Sequence, residues 1–376
     1  DLQMRSTPDA EDQVSSKAAL GAQAAVTVRQ ALLRGRGSKW DKAKLTAAKA
    51  ERRGARESLR RKAELLAAET LKAYWELYAA QANVETQRVG LQQSQSLLRE
   101  TQALVEAGKQ PAVEKVAAQY SVQVGRRALL QAKAKVGNAR DRLARLMGIS
   151  KGATQKVPAF SLVASPVNQK PRVDLQELER VALRRRGDHL AKQEKIQGRR
   201  AMASAADHEL LPRLDLAATV GVGRARSGAG RLSGLGVATP GATGLTWSVG
   251  LVLEIPLNND SAKAQKLRAH LELRRAETSV EDSKQAIAQE IKTTWRDVKT
   301  AWESLKLTRS AVRLAEMKFQ NERDRFRAGK SSAQMLTLVQ AELLKEKMAL
   351  EDAKAKYNEA LVELRVASGT LVQEMS

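Results

Sequence analysis

Cysteine is absent from the 376 residues, so neither a disulfide nor a thiolate metal site is available. Aromatic residues make up only 3% and prolines number 8, which argues against ordinary globular domains. No apolar run reaches the roughly 18 residues of a membrane-spanning helix, so none is expected. Asp1-Leu2-Gln3-Met4 lacks a basic segment followed by an apolar core, so no signal peptide is read there. Negative charge is also scarce. Lys and Arg number 65 against 42 Asp and Glu, a formal net charge of +23. Three readings of that surplus stay open: solvated helix faces, a polyanionic partner, and a basic pore lining.

What remains is rich in Ala, Lys, Arg, Glu, Gln and Leu, the composition of long helices and coiled coils. The chain also says nearly the same thing twice. Ala107-Gly108-Lys109 recurs 221 positions later as Ala328-Gly329-Lys330. At the same shift Gln119 falls on Gln340, Leu129 on Leu350, Leu143 on Leu364 and Gly148 on Gly369. Ala132-Lys133-Ala134-Lys135 falls on Ala353-Lys354-Ala355-Lys356, and Tyr74 falls on Trp295. A register held without a gap over about 75 residues implies two copies of one long helical hairpin.

Hydrophobic periodicity orders the elements. Residues 22–33 alternate, with Ala24, Val26, Val28 and Leu32 on one face and Gln23, Thr27 and Arg29 on the other. Ser38 is the expected N-cap of a helix running to about Ala107. Some 70 helical residues would span about 105 Å. Gly108 breaks that helix, Pro111 suits the first turn of the next, and Gly148 caps the return near Met147. An irregular, proline-bearing stretch follows. Asp174 opens a short helix, and Asp188 opens another that runs to about Leu211.

Two more alternating runs come next. Leu214, Leu216, Ala218, Val220 and Val222 share one face; Trp247, Val249, Leu251, Leu253, Ile255 and Leu257 share another. Their length and dyad pattern suit tilted membrane strands, although each taken singly reads more readily as a soluble, half-buried strand. A helix of about 70 residues then runs to Ala328, Gly329 breaks it, and a return helix reaches Ser368-Gly369. The first copy should open with its own strand pair, and only Asp1 to Thr7 remains for the first of that pair. The chain therefore reads as beginning inside the domain. Three divisions follow: 1–148 as the first repeat, 149–187 as an equatorial linker, and 188–376 as the second repeat.

Chemistry is harder to find. His189, His208 and His270 have no helical metal-ligand spacing and read as surface residues. Ala328-Gly329-Lys330-Ser331 is no phosphate loop, because Asp324 stands where the motif needs its first Gly and a helix precedes it. No Ser lies in a nucleophile motif. The expectation is a protein that is not an enzyme and needs no cofactor or metal.

Taken in order, these elements resemble the outer-membrane efflux proteins of the TolC type. The carrying residues are the two interhelical tips, Val105-Glu106-Ala107-Gly108-Lys109 and Arg325-Phe326-Arg327-Ala328-Gly329-Lys330. The helix ends Leu143 to Gly148 and Leu364 to Gly369 match as well. So do Leu210-Leu211-Pro212-Arg213-Leu214, Trp247-Ser248-Val249-Gly250-Leu251, and the strand exit Ala31 to Gly37. The resemblance implies a mainly α protein with a small membrane β part. Duplicated helical hairpins would form a trimeric α-barrel, with four strands per protomer in a shared twelve-stranded β-barrel. It implies a passive duct in the outer membrane of a Gram-negative bacterium, with the helices in the periplasm. The partners implied are a homotrimer, a periplasmic adaptor protein, indirectly an inner-membrane transporter, and outer-membrane lipid, but no nucleic acid.

The same resemblance makes Ala107, Gly108, Lys109, Ala328, Gly329 and Lys330 the adaptor-docking tips. Acidic residues near such tips line a constriction. Glu114 holds that position in the first copy, whereas Met335 and Leu338 hold the equivalents in the second. Glu114 with Arg325, Phe326 and Arg327 forms a candidate gate, closed by a carboxylate–guanidinium contact. A proline of the family's linker motif is replaced here by Gly187. The alternative from a different class is a soluble basic coiled-coil scaffold that binds nucleic acid or another polyanion.

Overall fold

The computed structural model describes residues 22–149, 160–224 and 243–371. Its elements run in the order β1 (Ala22–Ala31), α1 (Ser38–Asp41), α2 (Ala43–Glu106), α3 (Ala112–Leu146), α4 (Leu175–Arg185) and α5 (Gly187–His208). Then come β2 (Arg213–Arg224), β3 (Thr243–Glu254), α6 (Asp260–Arg327) and α7 (Ala333–Ser368). The chain packs as two compact units, one of residues 1–55 with 192–280 and the other of residues 56–191 with 281–376.

The first unit carries an antiparallel sheet of order β1-β2-β3. Its register aligns Val26 with Val220 and Trp247, Val28 with Ala218 and Val249, and Ala24 with Val222 and Leu245. Side chains alternate along a strand, so these rows share one face. That face is apolar and uncovered by the described residues: Trp247 is 71% exposed, Leu245 68% and Val28 63%. The opposite face is small and polar. There Thr27 and Thr219 share a hydrogen bond of 3.0 Å, and Arg213 pairs with Asp215 at 2.8 Å. The strand exit is tied down by the Trp40 indole N–H, which donates to Glu209 at 3.2 Å, and by the Arg34–Glu209 pair at 3.7 Å.

Several boundaries differ from expectation. Ser38 lies inside α1 rather than capping it, and a turn at Lys42 separates α1 from α2. β3 stops at Glu254, short of Ile255 and Leu257, because Pro256 has no N–H to offer the ladder. The strand expected within Asp1 to Thr7 lies outside the described residues.

The second unit holds the helical hairpins, and its core repeats itself. Leu77, Ala139 and Leu143 form one buried layer, partly covered by Tyr74 and Ala80. Their equivalents 221 positions on, Val298, Ala360 and Leu364, form another, flanked by Trp295 and Ala301. Burying one such Leu or Val contributes about 1.5–3 kcal/mol, so the repeated apolar spacing is also a repeated source of stability. The linker closes both layers. Phe160 and Leu162 lie against the first, and Val173 and Leu178 against the second. Polar side chains hold its backbone. The Tyr74 hydroxyl accepts from Ala164 N–H at 2.9 Å, Asn358 Oδ1 accepts from Val167 N–H at 2.9 Å, and Tyr357 donates to Gln169 O at 2.6 Å.

At the far end of α7 two buried arginines meet the last carbonyls of the helix. Arg61 donates to Val366 O at 2.7 Å and to Glu64 at 2.9 Å. Arg186 donates to Ala367 O at 3.3 Å, to both oxygens of Asp188 at 3.1 and 2.7 Å, and to Glu290 at 2.6 Å. Cations here complement the negative end of the helix dipole. Burial opposes the charge on Asp188, but the hydrogen bonds and charge of Arg186, aided by Arg61, hold its carboxyl below the usual range. His189 is a correction: it is buried, with Nδ1 2.7 Å from Ser283 Oγ. Its partner lies 94 residues away, so no local pattern marks it as interior.

Gly187, the first residue of α5, meets α2 closely. A Cβ added there would lie 2.2 Å from the carbonyl oxygen of Glu57 and 3.3 Å from Arg61 Cβ. Backbone cannot swing aside as a side chain can. Gly187→Ala is expected to cost about 1–3 kcal/mol, the range for overpacking. It should lower the midpoint of denaturant unfolding, and an unchanged midpoint would show that the helices separate at no cost.

Candidate functional site

The two turns between the long helices are built identically. In the first, Gly108 N–H donates to Val105 O at 3.0 Å and Lys109 N–H to Leu104 O at 2.9 Å. In the second, Gly329 N–H donates to Phe326 O at 2.9 Å and Lys330 N–H to Arg325 O at 2.8 Å. This pair of bonds is the Schellman ending, which places its C′ residue in the left-handed region. Gly108 and Gly329 sit there at φ 69° and 71°, where a side chain costs about 1–2 kcal/mol. Helices α3 and α7 end the same way, at Gly148 and Gly369. Four glycines therefore mark four helix ends for one physical reason.

Ala107, Gly108, Lys109, Ala328, Gly329 and Lys330 are all exposed, and a Cβ added at either glycine would meet no heavy atom within 4 Å. The turns offer backbone, two small residues and two lysines to anything that approaches them.

The two turns are also joined to each other. Glu114 Oε2 accepts from Ala333 N–H at 2.7 Å, and Gln110 Nε2 lies 3.5 Å from Ser331 O. Ala333 opens α7, where first-turn N–H groups lack intrahelical partners and the dipole favours a carboxylate. Ser332 caps the same helix, its hydroxyl accepting from Met335 N–H at 3.1 Å. The expected partner of Glu114 was an arginine. Within this chain Arg325 instead pairs with Glu322 at 3.4 Å, and Arg327 with Glu100 at 3.5 Å. Phe326 is fully buried with Leu97, Phe319, Leu336, Val339 and Leu343, so it anchors the tip from inside and presents no surface to a gate. Ser94 and Ser121 are among the buried polar groups that no sequence pattern marks. Ser94 Oγ accepts from Gln340 Nε2 at 3.2 Å, and Ser121 lies 3.1 Å from Ser94.

Among the described residues no cluster of His, Asp and Glu is arranged to hold a metal ion. No helix among them is long and apolar enough to cross a membrane.

A model of the outer membrane efflux protein family matches residues 5–149 and 178–370. No curated protein matches the chain by sequence. Solved structures of similar fold include the outer-membrane channel OprN, at 20% identity and a TM-score of 0.71, covering 93% of this chain and 82% of that one. The CmeC outer membrane channel of Campylobacter jejuni is 14% identical, with a TM-score of 0.69 and coverage of 95% and 80%. The MtrE outer membrane channel of Neisseria gonorrhoeae, solved in its open state, is 18% identical, with a TM-score of 0.67 and coverage of 94% and 81%.

Proposed function

The chain belongs to the outer membrane efflux protein family, and from that premise we propose that three copies close one barrel to which each supplies four strands. Membership makes it an outer-membrane duct for efflux, with its helical part in the periplasm. The observation that carries the trimer is the sheet. Its uncovered apolar rows form one continuous face, and three described strands cannot close on themselves. Open strand edges are not viable in lipid, so closure has to come from other copies. The same apolar face would be a liability on a soluble scaffold, and the polyanion-binding alternative gains nothing from it.

In this reading the two Schellman turns dock the hairpin of a periplasmic adaptor, through which an inner-membrane transporter supplies the energy. The division into repeats 1–148 and 188–376 around a linker belongs to the same proposal. The full chain should fractionate with the outer membrane, require detergent, and crosslink as a trimer. Recovery in the soluble fraction, with salt-sensitive retention on a polyanion, would overturn it.

Glu114 is the residue proposed for the gate, by way of a backbone partner. Its bond to Ala333 ties the first turn to the second, so splaying the turns apart breaks a charge-assisted hydrogen bond worth about 1.5–3 kcal/mol. Glu114→Ala should then raise the ratio of open to closed channel roughly tenfold or more. Glu114→Gln, which keeps a neutral acceptor, should fall between. Single-channel recording decides it. An unchanged open fraction in both variants reduces Glu114 to a helix cap.

A further inference from the structure

The polar face of the sheet carries four charged residues among those described: Arg29, Arg213, Asp215 and Glu254. Counted on the sequence they cancel. The structure separates them. Arg213 lies 2.8 Å from Asp215 and 3.7 Å from Glu254, and Asp215 is buried. Those three form a cluster at the strand ends where β2 begins and β3 finishes. Arg29 stands apart. It is exposed and makes no ion pair among the described residues. In its cross-strand row among the described residues stand Ala217 on β2 and Gly250 beyond it on β3, both too small to cover it.

In a membrane barrel the apolar face meets lipid and the polar face lines the lumen. We propose that Arg29 forms a positive belt inside the barrel that biases passage toward anions and anionic cargo. This rests on reading the sheet as part of a channel wall. Three symmetry-related copies would place three guanidinium groups at one height, four residues along the strand from Arg213 and Glu254. That separation is about 14 Å at strand rise, longer than the Debye length of about 10 Å in 0.1 M salt. Asp215 lies only two residues from the Arg29 level, but it is buried and paired with Arg213, so the two levels act largely independently on a passing ion. An ion about 10 Å from each of three unit charges in water at that salt is enriched or depleted about twofold by sign. The anion-to-cation ratio at that level therefore changes about fourfold.

The test is the reversal potential of full-length channels in planar bilayers under a potassium chloride gradient. Arg29→Gln should move the potential toward the cation side, by the equivalent of a roughly fourfold drop in anion-to-cation permeability ratio at 0.1 M. Arg29→Glu should move it further, and Arg29→Lys should leave it near wild type. Glu254→Gln should move it the opposite way. All these differences should collapse in 1 M salt, where the Debye length is about 3 Å. An unchanged potential in Arg29→Gln and Arg29→Glu channels of normal conductance overturns the belt. A shift that persists undiminished at 1 M also overturns it, because a change of pore shape rather than charge is then responsible. Failure of the wild type to form channels overturns the channel wall and the belt with it.

Discussion

Arg186→Ala is expected to cost about 1.5–3 kcal/mol of folding stability, the range for losing hydrogen bonds to charged groups. Arg186 is 5% exposed and donates to two carboxylates and a helix-terminal carbonyl. Alanine would leave Asp188, Glu290 and the Ala367 carbonyl without that donor. Asp188 and Glu290 are themselves 43% and 40% exposed, so water recovers part of the loss. Arg186→Lys keeps the charge but not the planar fork, and should fall between.

The same cluster predicts an acid limb. The Asp188 carboxyl sits below its ordinary value of 3.8 in the folded chain. A carboxyl depressed on folding stabilises fully above its unfolded pKa, and the stabilisation is lost as pH falls through the folded pKa. Wild-type stability should therefore drop as pH goes below about 3.8, and Arg186→Ala should flatten that drop. Denaturant unfolding in detergent across acidic pH measures both effects. A variant as stable as wild type, with the same acid limb, would mean that the cluster is energetically neutral.

Bulky residues at Gly108 and Gly329 together should abolish export, a loss of tenfold or more, while the trimer still assembles. The φ values of 69° and 71° charge any side chain about 1–2 kcal/mol, which two hairpins of this length can absorb. Nothing lies within 4 Å of the added Cβ, so leucine or tryptophan would project outward, into the surface proposed for the adaptor. Gly→Ala at both sites separates the causes. It carries the strain without the bulk and should keep most export. Equal loss in the alanine variant would assign the defect to turn geometry, and normal export in the bulky variant would overturn docking at the turns.

The turns were legible because the Schellman ending is local: a few residues and one glycine suffice, and the same four glycines appear at the same spacing in the chain. Strand faces were legible because a period of two needs only neighbours. Elsewhere locality failed. The sequence pairs Glu114 with an arginine because Arg325 and Arg327 stand at the second turn. Its actual partner is an N–H 219 residues away, and a backbone donor leaves no mark in a sequence. Phe326 read as a tip residue from its place beside Gly329, yet it points into the core that α2 and α7 complete. Arg186 looked like one of three consecutive arginines, and only Glu290, 104 residues on, distinguishes it.

By itself the sequence determined the helix ends, the alternation of the strands, the duplication, and through these the family. Each rests on contacts within a few residues or on a repeat that needs no partner. Tertiary structure alone decided which charges are spent. It set Arg213 against Asp215 and Glu254, left Arg29 without an ion pair among the described residues, and turned Arg61 and Arg186 onto the end of α7. Charge pairing depends on distances of about 3 Å between residues far apart in the chain. A net charge of +23 carries no such distances, so it could state how much charge there was but not where any of it acts.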